Sequence, residues 1–111
     1  MGIVKRGDLI TIALQGAYGK PRPALVIQSD NFDGLDSVTI LPISSTLVDA
    51  PLFRVTIQDG LEAGLTKPSQ IMVDKAMTVS KEKTGAVFGS VGYTTMQEVE
   101  RCLALFLGIA K

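Results

Sequence analysis

Apolar and polar residues alternate over short stretches through most of the chain, and the apolar members are rich in Val and Ile. This period of two is typical of β-strands, whose successive side chains point to opposite faces. The pattern predicts seven strands, at Asp8 to Leu14, Ala24 to Gln28, Val38 to Ile43, Phe53 to Ile57, Ser69 to Val73, Lys75 to Val79 and Ala86 to Val91. The first is apolar enough to be buried on both faces, and we expect the second and third to pair antiparallel.

The C-terminal segment changes to helical spacing. Thr94 and Thr95 are each followed three residues later by Gln97 or Glu98, a pattern typical of a capping box, and Gly108 predicts the end of the helix. The apolar residues of this helix are Met96, Val99, Leu103 and Phe106. At this chain length, seven short strands and one helix predict a mainly β fold, a small barrel with a C-terminal α-helix.

Four further apolar residues make most of the last two turns of this predicted helix apolar. They are Cys102, Leu105, Leu107 and Ile109. Two interpretations stay open. The helix either packs fully on its own barrel, or it contributes to a homodimer contact. In both cases we expect Cys102 to behave as a small core hydrophobe without a reactive role.

Composition limits the classes of protein and of chemistry. The 111 residues predict one domain spanning 1–111, with no membrane span and no secretion signal, hence a cytoplasmic protein. A single cysteine excludes an intramolecular disulfide, and the absence of histidine excludes His-based catalysis and Cys/His zinc sites. The net charge is zero, so any polyanion must be bound by a local patch.

The run Gly19-Lys20-Pro21-Arg22-Pro23 provides one such patch. Proline fixes its own φ and restricts the residue before it, so Arg22 leaves the chain from a stiff, extended segment. Its planar guanidinium matches phosphate oxygens in pairs and stays charged at neutral pH. An ordinary surface arginine at the start of a strand is the alternative. Lys20 lies two residues earlier, on the same side of an extended chain, where both cations can face one phosphate backbone.

Several motifs together resemble the MazF/PemK toxin family, and they follow one another in the family's order over nearly the whole chain. They are Arg6-Gly7-Asp8, Lys20-Pro21-Arg22-Pro23, Val26-Ile27-Gln28-Ser29-Asp30, Leu41-Pro42-Ile43-Ser44-Ser45, Ser69 to Asp74 and the C-terminal helix. The resemblance implies an SH3-like barrel of the CcdB/MazF type, a homodimer, and an endoribonuclease that cuts single-stranded RNA without a metal or cofactor. It also implies an antitoxin whose flexible C-terminal tail blocks the RNA groove, and a toxin–antitoxin complex that binds DNA.

By the same resemblance, Arg22, Ser44 and Asp74 occupy positions of the family's catalytic residues. Met72 departs from the pattern, because some PemK-type members have a catalytic arginine there, and Lys75 and Met77 replace a glutamine and an arginine. Arg22 is therefore the main candidate for a catalytic arginine.

Each of the other candidates has an alternative role. Ser44 is either a phosphate donor or a turn-forming residue after a strand. Asp74 is either a general base or an ion-pair partner that orients Arg22 or Lys75. Lys75 is an expected RNA contact. Gln15 and Tyr18 are placed to read or stack on unpaired bases, and the alternative for Tyr18 is a loop tyrosine that covers the barrel edge.

Two functions of other classes remain open from the sequence. A CcdB-like protein would poison DNA gyrase through its terminal helix without catalysis, and Leu107-Gly108-Ile109 resembles the end of such chains, although tryptophan is absent. An SH3-like interaction module would need only the neutral surface and the apolar helix. That module would leave the rigid Arg22 segment unexplained.

Overall fold

The computed structural model describes residues 4–13, 20–57 and 63–110 of the chain. Seven strands and one helix follow in the order β1 (Asp8–Ala13), β2 (Pro21–Val26), β3 (Ser37–Ser44), β4 (Arg54–Thr56), β5 (Gln70–Met72), β6 (Met77–Ser80), β7 (Thr84–Ser90) and α1 (Tyr93–Phe106). Three 3₁₀ turns lie between strands, at Asp30–Phe32, Val73–Lys75 and Lys81–Lys83. The predicted mainly β class with a C-terminal helix is confirmed.

All strand pairs are antiparallel, and the strand order is β4-β5-β3-β2-β1-β7, with β6 attached to β3. The expected pairing of β2 with β3 is present. The two ends of the long strand β3 pair with different strands: residues Ser37–Ile40 pair with β6, whereas Ile43 and Ser44 pair with β5. Within the described ranges no pairing joins β7 to β4, so the sheet is open there and the predicted barrel is not closed by hydrogen bonds.

Two apolar clusters lie on opposite faces of this sheet. Leu9 belongs to the cluster that packs against Val99 and Cys102 of α1, whereas Ile10 and Ile12 belong to the second cluster with residues of β2, β3 and β6. The prediction that the first strand is buried on both faces is therefore confirmed. Cys102 is fully buried, as expected, and this burial raises the pKa of its thiol.

Strand β2 begins at Pro21, three residues before the predicted start. Its register with β1 continues to Ala13, opposite Pro21, whereas its pairing with β3 starts only at Ala24. One side of β2 therefore has no strand partner at Pro21 and Pro23 among the described residues. Proline has no backbone N–H to donate, so it fits a strand where one side is unpaired.

The predicted capping box is wrong. Helix α1 begins at Tyr93, its N-cap is Gly92, and no side chain caps it, so both threonines lie inside the first turn. The predicted end at Gly108 is confirmed. Gly108 has φ +75°, its N–H donates to Leu105 O at 3.1 Å, and Ile109 N–H donates to Ala104 O at 2.8 Å, which is a Schellman motif. No described helix is both long and apolar enough to cross a membrane.

Candidate nucleic-acid interface

Arg22 lies in an open cleft of about 490 Å³ between β2, the end of β3 and the segment that precedes β5. The described residues that line it are Arg22, Pro23, Pro42, Ile43, Ser44, Ser45, Thr46, Leu65, Thr66, Lys67, Ser69 and Met72. Two of these residues are cationic, five have a hydroxyl group in the side chain, and none is a carboxylate. This lining favours an anionic ligand, because nothing in it repels negative charge.

The Arg22 guanidinium is exposed and makes no hydrogen bond or salt bridge with any described residue. Arg22 is opposite Ile12 in the β1–β2 register, so its backbone is held in the sheet while its side chain is outside the core. The rigid presentation predicted from the flanking prolines is therefore provided by strand pairing as well. No described residue takes up its N–H donors, which can bind a ligand.

Ser44 makes a turn hydrogen bond and also lines the cleft, so both of the roles that the sequence left open are compatible with its position. Its Oγ accepts a hydrogen bond from Thr46 N–H at 3.0 Å, which is the turn-forming role. The same residue lines the Arg22 cleft. The O–H group has only a long contact of 3.5 Å to Thr46 O, so its proton is available to an anion in the cleft.

Lys67 is a second cation in the cleft that the sequence analysis missed. Its carbonyl accepts a hydrogen bond of 2.9 Å from the buried Ser69 hydroxyl, which fixes the backbone that carries it. A signal was present in the sequence. Lys67 precedes Pro68 just as Lys20 precedes Pro21, and a residue before proline is restricted to extended conformations.

A close approach to β7 positions the segment that carries Lys67. A Cβ atom added at Gly89 would lie 1.7 Å from Ala63 O and 2.6 Å from Ala63 C, so only glycine allows the two backbones to meet. Leu65 and Thr66, which follow immediately, line the cleft. The wall of the cleft is therefore set by a backbone contact with β7.

Asp74 and Lys75 are not among the residues that line the cleft. Both lie in the 3₁₀ turn Val73–Lys75, where Lys75 Nζ is 3.4 Å from Asp74 Oδ2. The other carboxylate oxygen, Oδ1, is buried and has no partner among the described residues. The structure therefore brings Arg22 and Ser44 together, but it does not bring Asp74 or Lys75 to them.

The remaining predicted RNA contacts precede β2. Lys20 is exposed at the start of that strand, outside the lining of the cleft. Gln15 and Tyr18 lie outside the described residues. In the part of the chain that the structure describes, no three Asp, Glu or Cys side chains are grouped to hold a metal ion.

Two of the resembling motifs stabilise the fold away from the cleft. Arg6 Nη1 pairs with Glu100 Oε2 of α1 at 2.7 Å, and Arg6 N–H donates to Asp30 Oδ1 at 2.7 Å. The Gln28 amide donates to Phe32 O and accepts from Thr39 N–H, both at 3.0 Å. Arg6, Gln28 and Asp30 therefore connect β1, the β2–β3 connection and α1.

Residues 5–107 match the family described as PemK-like, MazF-like toxin of type II toxin-antitoxin system. The chain belongs to this family. A curated relative named probable endoribonuclease MazF, from Mycolicibacterium smegmatis, is 44% identical over 108 residues, which cover 96% of this chain and 99% of the relative. The predicted MazF/PemK family is confirmed, and the predicted enzyme class agrees with the relative's name.

Solved structures confirm the MazF-like fold. An endoribonuclease in complex with its cognate antitoxin, from a mycobacterial species, has a TM-score of 0.84 at 20% identity and covers 97% of this chain and 98% of its own. The Mycobacterium tuberculosis toxin MazF-mt6 has a TM-score of 0.81 at 19% identity, covering 94% and 99%. A MazE-MazF structure from Deinococcus radiodurans has a TM-score of 0.82 at 20% identity, covering 98% and 100%.

Proposed function

We propose that this MazF-like chain is the toxin of a type II toxin–antitoxin pair and that it cuts single-stranded RNA at the Arg22 cleft. The observation that carries the proposal is an exposed guanidinium that has no partner among the described residues and lies beside Ser44 and Lys67, in a cleft whose described lining holds no carboxylate. Family membership supports the toxin role, and the name of the 44% identical relative supports endoribonuclease activity.

The proposed reaction uses a nucleophile that RNA itself supplies. The 2′-oxygen loses its proton and forms a bond to the adjacent phosphorus, and the bond from phosphorus to the 5′-oxygen breaks as that oxygen takes up a proton. The products are a 2′,3′-cyclic phosphate and a 5′-hydroxyl. Because no external nucleophile has to be activated, the proposed reaction proceeds without a metal ion.

In this mechanism Arg22 stabilises the negative charge that accumulates on the phosphorane oxygens. Ser44 donates its hydroxyl proton to a phosphate oxygen, and Lys67 binds a neighbouring phosphate from the opposite wall. A donor aimed at developing charge contributes on the order of 10²- to 10³-fold in rate. Asp74 does not line the cleft, so we assign it to its contact with Lys75 and assign the proton transfers to solvent.

RNA would extend beyond the cleft along the residues that precede β2. Lys20 adds charge next to Arg22, and Gln15 and Tyr18, earlier in the sequence, are the proposed contacts to unpaired bases. Lys75 is exposed and is retained as a proposed contact with a more distant part of the RNA.

The proposed partner is a cognate antitoxin whose flexible C-terminal tail covers the cleft. Solved MazF-like structures include complexes with a cognate antitoxin and with MazE. A tail with acidic and apolar residues would complement Arg22 and Lys67 together with the Leu65 and Met72 side chains of the same cleft. We also propose that the chain acts in the cytoplasm, where its RNA substrate is found.

The decisive experiment compares wild type, Arg22→Ala and a matched arginine control on a long unstructured RNA in EDTA. Arg101→Ala is the control, because Arg101 is exposed on α1 and pairs with Glu98, whose pKa this hydrogen bond lowers. We expect cleavage at restricted sites by wild type and control, and a loss of at least about 10²-fold in rate for Arg22→Ala. The ends of the products are identified by mass spectrometry.

The same variants are expressed in cells to measure growth. Wild type and Arg101→Ala are expected to arrest growth, whereas Arg22→Ala is not. Uncut RNA together with gyrase-linked DNA breaks would contradict the ribonuclease assignment and favour the CcdB-like function. Cleavage that Arg22→Ala leaves unchanged would show that the active cleft lies elsewhere.

A further inference from the structure

The β3–β4 connection forms one wall of the Arg22 cleft, and polar side chains of the neighbouring strands hold it in place. Gln70 of β5 contacts Val48 twice, since its Oε1 accepts from Val48 N–H at 3.0 Å and its Nε2 donates to Val48 O at 3.0 Å. Arg54 of β4 donates through Nη1 to Thr46 O at 3.1 Å and to Gln70 Oε1 at 3.2 Å. Arg54 and Gln70 thus hold the connection at two points just after Ser44.

The pairing of β4 with β5 explains why both side chains reach this connection. Val55 is opposite Ile71, and both side chains are buried in the apolar core. Arg54 is opposite Met72, one residue away on each strand, so these two side chains point to the other face of the sheet. Met72 lines the cleft, so Arg54, its partner in the strand pair, lies next to the cleft lining.

Arg54 has an unusual set of partners for a half-buried cation. Its Nη1 binds only the neutral oxygens of Thr46 and Gln70, it forms no salt bridge with a described residue, and its Nε is buried without a partner. Half-buried charges are normally compensated by an opposite charge, because desolvation is costly. Among the described residues, no opposite charge compensates that of Arg54.

We propose that Arg54 is a positioning residue for the Arg22 cleft. Acting through Thr46 and Gln70, it holds the Ser44–Thr46 wall at the distance from Arg22 that a phosphate requires, and it adds positive potential behind that wall. This inference rests on the proposed ribonuclease function, and neither Arg54 nor Gln70 touches the RNA in it.

The test measures kcat and KM for RNA cleavage in Arg54→Ala, Arg54→Lys and Gln70→Ala, with Arg101→Ala as the control. Displacement of reacting groups by about 1 Å is worth up to roughly 10²-fold in rate, so we expect Arg54→Ala and Gln70→Ala to lower kcat by about 10- to 100-fold. The KM should change far less, because Arg22 and Lys67 remain. Arg54→Lys keeps the charge and one donor, and should recover part of the lost kcat.

A second readout is independent of cleavage. The Val48 N–H is bonded to Gln70, and its hydrogen exchange should become faster in both Arg54→Ala and Gln70→Ala and stay unchanged in Arg101→Ala. Folding of each variant is checked by circular dichroism. If Arg54→Ala does not fold, the test relies on Gln70→Ala, since this variant releases Val48 without removing the positive charge of Arg54.

The outcomes separate the two proposals. A wild type that cuts RNA together with a folded Arg54→Ala or Gln70→Ala of equal kcat overturns the positioning role alone. A raised KM at an unchanged kcat in the folded variants also overturns it, because that pattern reports lost binding. A wild type that does not cut RNA overturns the proposed function, and this inference with it.

Discussion

At the scale of single residues, three arginines of one chain differ by what surrounds them. Arg6 is bonded to Glu100 and to the Ile27 carbonyl, and it connects elements of the fold. Arg54 binds neutral oxygens behind the cleft, and Arg22 has no described partner. The sequence predicted the stiffness of Arg22 from its prolines. It contained no signal for Arg54, because the partners of that guanidinium lie 8 and 16 positions away along the chain.

One prediction at this scale concerns Lys67. Replacing it with alanine should weaken binding of a non-cleavable 2′-O-methyl RNA. The slope of the logarithm of the binding constant against the logarithm of the salt concentration should become shallower by roughly 0.7, which is the contribution of one phosphate contact in a single strand. Fluorescence anisotropy at several salt concentrations measures both effects. Lys83→Ala is the control, because Lys83 is exposed and does not line the cleft. Equal salt slopes for the two variants would show that Lys67 does not contact RNA.

At the scale of elements, local sequence pattern predicted the strands and the end of α1 correctly, but not the start of α1. Each predicted strand exists, and the end of α1 was correct, because alternation and a left-handed glycine act over a few residues. The predicted start of α1 was wrong, because the helix follows closely after β7. Val91 N–H donates to Gly7 O at 3.0 Å, and after that tertiary bond the helix begins at Tyr93, so that both threonines lie inside its first turn.

Gly89 supports a prediction at the element scale. An added Cβ meets the Ala63 carbonyl, so Gly89→Ala should push the 63–67 segment away from β7 and reduce the free energy of unfolding by about 1–3 kcal/mol. Because that segment carries Lys67, RNA cleavage by the folded fraction should fall as well. Urea unfolding and an activity assay measure the two effects.

Gly34→Ala is the matched control for this glycine. A Cβ at Gly34 meets nothing within 4 Å, so stability and cleavage should stay close to wild type. A Gly89→Ala variant as stable and active as Gly34→Ala would contradict the close approach of the two backbones.

At the scale of the whole molecule, two apolar clusters fill the two faces of an open sheet, yet the end of α1 and the residues just after it stay apolar and exposed. The exposed fraction is 52% for Phe106, 59% for Leu107 and 78% for Ile109. Of the two interpretations of this helix, full packing on its own sheet does not account for these residues. Contiguous exposed apolar surface is typical of an interface, and we propose that this end takes part in a homodimer.

The dimer prediction is tested by sedimentation at several protein concentrations. Wild type should approach twice the mass of the 111-residue chain, and Ile109→Asp should shift the equilibrium to the monomer by at least about tenfold in Kd, because a buried charge is costly. Phe32→Asp, at an exposed apolar residue of the β2–β3 connection, is the control. A wild type that remains monomeric, or an unchanged Kd in Ile109→Asp, would rule out this interface.

The sequence by itself determined the strands, the helix, its glycine end and the stiff presentation of Arg22, because alternation, backbone restriction and proline chemistry act between near neighbours. It also indicated the family, which the comparisons confirmed. Only the tertiary structure decided that Ser44 and Lys67 share a cleft with Arg22, that Asp74 and Lys75 lie outside it, and that Arg54 and Gln70 hold its wall. Those relations depend on strand register and on contacts between residues far apart in the chain, which local pattern does not specify.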